Sequence, residues 1–376
     1  MDFSFSEEQT LLRNSVQKFI STAYDFDTRR AIVASEAGWR PVFWKQFAEL
    51  GLLGASIPED FGGLGGGAVE TMIVMEEFGR GLVVEPYLGA VIIGAGLIAN
   101  AGSAAQKAEM LPKIAGGDLI LALAYAEPQG RYNLADLTTT AKKSGAGYIL
   151  NGFKSIVIGA PFSDKLIVSA RTGGDRRERK GISLFLVDKA ASGITCRDFP
   201  TVDGLRASEI TFENVPVPAS ALIGAADEGL APLESIVDRA IAALCAEAIG
   251  AMKVLHEMTV DYCKTRKQFG VPIGKFQVLQ HRMVDMFMAY EQSLSMTYMV
   301  TLKLDTPERA KAASAAKVQI GKAGRFIGQQ AVQLHGGMGM TDELKVGHYF
   351  KRLTMIDAQF GNVDHHLRRY AELSDY

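Results

Sequence analysis

Cysteine is scarce in this chain. Cys196, Cys245 and Cys263 are the only ones among 376 residues, an odd count with no C-x-x-C spacing. That argues against a disulfide framework and fits a reducing cytosol, so a cytoplasmic location is expected. Neither sign of charge is in excess. A formal net charge of −2 gives no general attraction to nucleic acid or to an anionic membrane. Long apolar runs are missing too. The most apolar stretch, from Tyr87 to Ala101, is interrupted by Gly89, Gly94 and Gly96 and falls short of the roughly 20 residues that cross a bilayer, so it reads as a buried helix. Met1-Asp2-Phe3-Ser4-Phe5 has no basic region followed by an apolar run, and no secretory leader is read there. The chain has no G-x-x-x-x-G-K-[ST] loop, internal repeat or low-complexity tail. His365 and His366 are adjacent, so they face different sides of a helix, and no paired Cys/His spacing suggests a metal.

What remains is ordinary globular material, 48% apolar and 22% charged, long enough for two or three structural units. Ser6-Glu7-Glu8-Gln9 offers an N-cap with a side chain able to cap back. Leu11, Leu12, Val16, Phe19 and Ile20 then follow at helical spacing. Further helices are expected through Trp44 to Leu53, Val69 to Phe78 and around Ala90. Near Leu119 the pattern changes to short β-rich runs at 119–127, 138–143, 147–152, 165–170, 182–187 and 209–212. Turn residues separate them, which implies a compact antiparallel β unit. Helical periodicity returns near Gly229, with long helices expected over 230–266, 275–304, 307–334, 343–354 and 362–373, as in a bundle. The expected division is therefore 1–118 helical, 119–228 strands and 229–376 helical bundle.

Gly63-Leu64-Gly65-Gly66-Gly67-Ala68 fits G-x-G-x-x-G/A, but Pro58-Glu59-Asp60 precedes it instead of a strand, so it reads as a turn between helices. Met283, Met286, Met288, Met296 and Met299 read as adaptable core filler. The basic run Arg176-Arg177-Glu178-Arg179-Lys180 reads as a solvated hairpin tip. Two stretches are more specific: Arg266-Lys267-Gln268-Phe269-Gly270, leading on to Gln277, and Gln333-Leu334-His335-Gly336-Gly337. Each ends a long helix in glycine-rich backbone and offers donors suited to an anion such as a pyrophosphate. Two helix C-caps would leave the same trace, and the residues alone do not separate these readings.

With Ala126-Glu127-Pro128 and Asn151-Gly152-x-Lys154, these motifs stand in the order found in the acyl-CoA dehydrogenases, which the chain resembles over its entire length. Ala243-Leu244-Cys245-Ala246-Glu247 and Phe360-Gly361 resemble the small subunit of the pimeloyl-CoA dehydrogenase type. The resemblance implies an α+β fold: an N-terminal helical domain, a middle antiparallel β-barrel domain and a C-terminal four-helix bundle. It also implies FAD, with the isoalloxazine ring near Tyr125, Ala126, Ile156 and Ile158 and with Asn362 among the cofactor-binding residues. Arg266, Gln268, Phe269 and Gln277 would serve one side of the flavin, and Gln333, Gly336 and Gly337 would reach it across a subunit boundary. An acyl-CoA substrate, electron-transfer flavoprotein as acceptor and at least a dimer follow from the same resemblance. Two departures stand out. Ile156-Val157-Ile158 replaces Trp-x-Thr beside the flavin, and Glu127-Pro128-Gln129-Gly130-Arg131-Tyr132 lacks the serine expected to contact the CoA pyrophosphate.

The family removes an α proton with a carboxylate while the β hydride passes to the flavin, and two hydrogen bonds to the thioester oxygen stabilise the enolate-like state. At the usual position of that carboxylate this chain has Phe360, which keeps the backbone N–H but cannot accept a proton. Some relatives carry the base on the first bundle helix. Counting back from Gly250 puts that position at Ala240, and Asp238, two residues off, lies roughly 200° around the helix. Glu247 sits in a run of small apolar residues, so it is either a buried, functional carboxylate or half of a structural ion pair.

Three readings stay open. The chain is the base-lacking small subunit of a heterotetramer whose larger homologous partner supplies the carboxylate; or it is a self-sufficient homotetramer using Glu247 or Asp238; or it is a flavin-free scaffold. The substrate is not legible beyond a dicarboxylyl-CoA or medium-chain acyl-CoA tendency carried by the small-subunit resemblance.

Overall fold

The computed structural model describes residues 4–374; Met1, Asp2 and Phe3, part of the stretch read for a leader, lie outside the described residues. Helices α1 (Glu7–Ala23), α2 (Phe26–Ala34), α3 (Pro41–Glu49) and α4 (Ala68–Gly81) come first. A π-helical segment (Leu88–Ala95) then continues into α5 (Gly96–Ala101), followed by α6 (Ala104–Ala115). The strands follow: β1 (Leu121–Ala124), β2 (Thr140–Ser144), β3 (Gly147–Ile158), β4 (Lys165–Arg171), β5 (Ile182–Asp188), β6 (Ile194–Pro200), β7 (Arg206–Pro218) and β8 (Leu222–Ile223). The last part holds α7 (Leu230–Thr265), the small hairpin β9 (Lys267–Gln268) and β10 (Val271–Pro272), α8 (Gln277–Lys303), α9 (Arg309–His335), α10 (Lys345–Ala358) and α11 (Val363–Glu372). By internal contacts these elements fall into two compact units. A helical unit holds Met1–Ala31, Ala68–Val83 and Ile241–Tyr376; a strand unit holds Ile32–Gly67 and Val84–Ala240. Among the described residues no helix is long and apolar enough to cross a membrane.

In the strand unit one sheet runs in the order β6-β7-β3-β2-β4-β5-β8. Most pairings are antiparallel, but β1 lies parallel to β4, with Leu121 opposite Lys165. Leu150, Leu166, Val168, Phe185, Ile210 and Phe212 pack its core, where Tyr148 meets Phe185 edge-on with ring centroids 4.9 Å apart. Strand β6 is not among the β-rich runs that the sequence predicts. Its residues are exposed or half-buried throughout and it pairs only with β7, so it is an edge strand without the buried alternation that marks a strand from its residues. The basic run is exposed, as expected of a solvated tip, and its arginines are also paired. Asp136 takes Arg176 at 2.5 Å and Arg177 at 2.8 Å, and Arg179 pairs with Glu234 at 2.8 Å.

In the helical unit α1 begins with the expected reciprocal cap: Gln9 N–H donates to Ser6 Oγ at 3.2 Å and Ser6 N–H to Gln9 Oε1 at 3.0 Å. Val16 and Phe19 are buried on α1, while Leu11 is 67% exposed because it falls beside that stripe. Helices α4 and α7 touch backbone to backbone. A Cβ on Gly250 would stand 1.9 Å from the Glu76 carbonyl oxygen, and one on Gly79 would stand 1.9 Å from that of Glu247. Glycine to alanine inside a helix ordinarily stabilises by roughly 1 kcal/mol. Here Gly250→Ala is expected to cost about 1–3 kcal/mol through overpacking. Urea denaturation checks this, and a neutral or stabilising effect would contradict the contact.

Candidate active site

In the strand unit the segment after β1 is fixed by a buried ion pair. Lys154 and Glu127 have fully buried side chains 2.8 Å apart. Lys154 Nζ also donates to the Tyr125 carbonyl at 3.2 Å and approaches Ser169 Oγ at the same distance. The carboxylate accepts further from Thr138 N–H at 2.6 Å, Thr139 N–H at 3.1 Å and Gln129 Nε2 at 2.7 Å. Burial opposes the charge on Glu127, but the Lys154 ammonium and the Thr138 donors outweigh it and hold the carboxyl at about 2. The two short motifs therefore form one network, and it holds Tyr125 and Ala126. Gly152 belongs to it as well: at φ 153° it lets Thr139 approach where a Cβ would stand 2.6 Å from the Thr139 Cα.

Strand β3 carries the other expected flavin neighbours. Its register against β7 shifts between Lys154 and Val157, and Ile156 sits at φ 50° with 54% of its surface exposed. A β-branched residue in the left-handed region costs on the order of 1–3 kcal/mol and persists only where its surroundings impose it. Val157 turns inward and is buried, while Ile158 is half-buried.

In the helical unit the two longer motifs end α7 and α9. Arg266, Gln268 and Gln277 are exposed, and Phe269, at φ 54°, is 91% exposed. At the end of α9, Gln333, Gly336 and Gly337 are exposed, and a Cβ added at either glycine would meet nothing within 4 Å. His335 stacks on Tyr262 with centroids 4.4 Å apart, tying the ends of α7 and α9 together. Open glycine backbone flanked by guanidinium and amide donors is a chemistry that fits a pyrophosphate. Apolar side chains are exposed alongside. On α8, Val284, Phe287 and Met288 are 54%, 47% and 49% exposed, and Met338 and Met340 are exposed after α9. Of the methionines read as core filler, Met286 is buried but Met288 faces outward.

Phe360 lies in the turn between α10 and α11 at φ 56°, followed by Gly361 at φ 120°. Gly361 admits no side chain, since a Cβ would stand 2.5 Å from His365 Cδ2 and 2.6 Å from His366 Nε2. Asn362 caps α11, its side-chain oxygen accepting from His365 N–H at 3.0 Å. One residue the sequence reading did not single out dominates here. Lys317, fully buried on α9, donates to the carbonyls of Asp357 at 3.0 Å, Gln359 at 2.9 Å and Gly361 at 2.6 Å. Its trace in the sequence is a lysine on the alanine-rich stripe of Ala313, Ala316 and Ile320.

Glu247 is buried and held at both oxygens by Arg352 of α10, with N–O distances of 2.5 Å and 2.6 Å. Asp238 is 1% exposed and Ala240 fully buried; both lie in the part of α7 that belongs to the strand unit.

Three family models match the chain in succession: Acyl-CoA dehydrogenase, N-terminal domain over residues 6–118, middle domain over 122–215 and C-terminal domain over 227–372. Mitochondrial isovaleryl-CoA dehydrogenase of Pongo abelii is 31% identical over 353 residues, covering 92% of this chain and 84% of its own length. Among solved structures, a variant of the Tcur3481–Tcur3483 steroid ACAD is 29% identical with a TM-score of 0.88, covering 98% of this chain and 97% of that one. The FAD complex of PigA is 28% identical with a TM-score of 0.92, covering 99% and 98%.

Two double-mutant cycles check the buried pairs. Glu127→Gln is expected to cost about 3–5 kcal/mol by stranding Lys154, with Glu127→Gln/Lys154→Met costing less than the single change. Because the folded carboxyl sits at about 2 against an ordinary 4.5, the pair's contribution is complete above about 4.5 and fades as pH falls towards 2. Denaturant midpoints over that window should show the loss in wild type and not in the double variant. Likewise Arg352→Met is expected to destabilise by about 3–5 kcal/mol, and Glu247→Gln/Arg352→Met to recover part of it. Additive effects in either cycle would contradict the pairing.

Proposed function

Because the chain belongs to the acyl-CoA dehydrogenase family, and so is an FAD oxidoreductase acting on CH–CH bonds, we propose that it is the base-lacking chain of a dehydrogenase assembled with a second, homologous chain. The observation that carries this reading is Phe360: the turn is held by buried donors and strained as a functional segment is, yet its side chain cannot take a proton. Glu247 offers no ready substitute, since both its oxygens are engaged by Arg352. The position from which some relatives supply a base from α7 is Ala240. The stretches 243–247 and 360–361 support the small-subunit type, and with it a dicarboxylyl-CoA or medium-chain acyl-CoA substrate.

FAD when bound would take up the β hydride of the thioester. Arg266, Gln268, Phe269 and Gln277 would serve one side of a flavin, and Gln333 with the backbone of Gly336 and Gly337 would reach one across a subunit boundary; in the strand unit Tyr125, Ala126, Ile156 and Ile158 would lie near a ring. The Phe360 N–H would donate to the thioester oxygen, stabilising charge that develops as the α proton leaves to the partner's carboxylate. The exposed side chains of Val284, Phe287 and Met288, which share one face of α8 by their spacing, support a partner, because exposed apolar patches ordinarily mark an interface. Electron-transfer flavoprotein is the expected acceptor.

Purification alone and with a co-expressed homologous partner tests this. The chain alone is expected to be inactive, and the assembly yellow and active. Phe360→Glu should give the FAD-loaded chain a measurable dehydrogenation rate of its own. Full activity of the wild-type chain alone, abolished by Glu247→Gln or Asp238→Asn, would establish the self-sufficient reading instead.

A further inference from the structure

Four backbone carbonyls surround the strained position in the α10–α11 turn, and all four are taken by buried side chains. Lys317 receives three of them, from Asp357, Gln359 and Gly361. The Phe360 carbonyl lies 3.1 Å from His366 Nε2. A carbonyl can only accept, so Nε2 carries the ring proton, and Nδ1 is left to accept from Ser314 Oγ at 3.3 Å. Burial and the nearby Lys317 charge push His366 down to about 3, which keeps the ring neutral in this tautomer.

The match on Lys317 is one of number. An ammonium has three N–H donors, and here three carbonyls receive them. The Asp357 carboxylate is turned aside to Arg325 at 3.1 Å, so the charge is spent on backbone and not on a counter-ion. Burial lowers Lys317 to about 8, with Cys245 of α7 and Asp357 of α10 partly offsetting this.

Peptide planarity turns this cage into an orienting device. The Gln359 carbonyl and the Phe360 N–H belong to one peptide unit, and no peptide among the described residues is cis. In a trans peptide those two groups point in opposite directions. Fixing the carbonyl on Lys317 therefore fixes the direction of the Phe360 N–H, on the side away from the ammonium. In the same way, His366 on the Phe360 carbonyl fixes the N–H of Gly361.

We propose that Lys317 and His366 are positioning residues, which hold the carbonyls of Asp357, Gln359, Phe360 and Gly361 from within the bundle and so aim the Phe360 N–H at the oxygen of a bound acyl thioester. This rests on the reading that the chain takes such a thioester. It explains why a turn that has lost its proton acceptor still keeps its backbone: polarising the carbonyl needs the N–H and not the side chain.

The experiment uses the FAD-loaded assembly with Lys317→Met, Lys317→Arg and His366→Leu. Hydrogen exchange reads the turn, and infrared difference spectra of bound medium-chain acyl-CoA, 13C-labelled at the thioester carbonyl, read the polarisation. In Lys317→Met, exchange of the 357–362 segment should quicken about ten-fold or more while α9 and α10 keep their protection. The carbonyl stretch should return towards its value in free acyl-CoA, and kcat should fall by about 10²–10³-fold, as for a lost oxyanion donor. FAD content should be unchanged, and Lys317→Arg should restore part of the shift. Unchanged exchange, or a carbonyl shift retained in Lys317→Met, overturns the inference. Should that variant fail to fold, His366→Leu gives the same exchange reading without stranding a charge. If the wild-type assembly itself polarises no thioester, the functional reading fails and takes this inference with it.

Discussion

Lys317 enters the helical unit without a carboxylate of its own, and its charge is neutralised by backbone oxygens of the turn that precedes α11. The conformation of Phe360 depends on that arrangement. A left-handed Phe followed by a glycine at φ 120° is not a conformation the chain adopts unaided. The buried donors behind it make the strained form the one in which the carbonyls of Asp357, Gln359, Phe360 and Gly361 are satisfied. Removing an ammonium that answers three acceptors would take a hydrogen bond from each of three carbonyls at once.

Two other buried cations follow a different rule. Lys154 and Arg352 each meet a carboxylate, Glu127 and Glu247, and each pair ties together segments far apart in sequence. In the strand unit the pair fixes the Tyr125 carbonyl; in the helical unit it joins α7 to α10, the helix that leads into the Phe360 turn. Neither pair is a strong source of net stability, because desolvation offsets most of the attraction. Their effect is to make alternative arrangements of those segments expensive. A carboxylate so engaged is also poorly placed to act as a base, which links the packing of Glu247 to the functional reading of the chain.

Much of this was legible in the sequence. The order of helices, strands and helices, the reciprocal cap at Ser6 and the long helices ending at the two glycine-rich motifs rest on local signals: periodicity, caps and turns. What escaped was non-local. Arg352 lies 105 residues from Glu247, and nothing in the local pattern names it as the partner. The Lys154–Glu127 contact joins two motifs that were noticed separately. Strand β6 was lost because an edge strand with no buried face has no alternation to detect. Lys317 was visible only as a charge on an apolar stripe, and its meaning needed the position of the turn. The outward face of Met288 and its neighbours also defeats sequence reasoning, since a side chain that awaits a partner looks like one that packs in a core.

As proposed, this polypeptide presents a thioester-binding turn without a proton acceptor. The most direct measurement is deuterium wash-in at the α carbon of an acyl-CoA in D2O, followed by NMR with the isolated, FAD-reconstituted wild-type chain. No exchange above the uncatalysed background is predicted, with exchange appearing once the homologous partner is added. Rapid wash-in by the isolated chain would contradict the account.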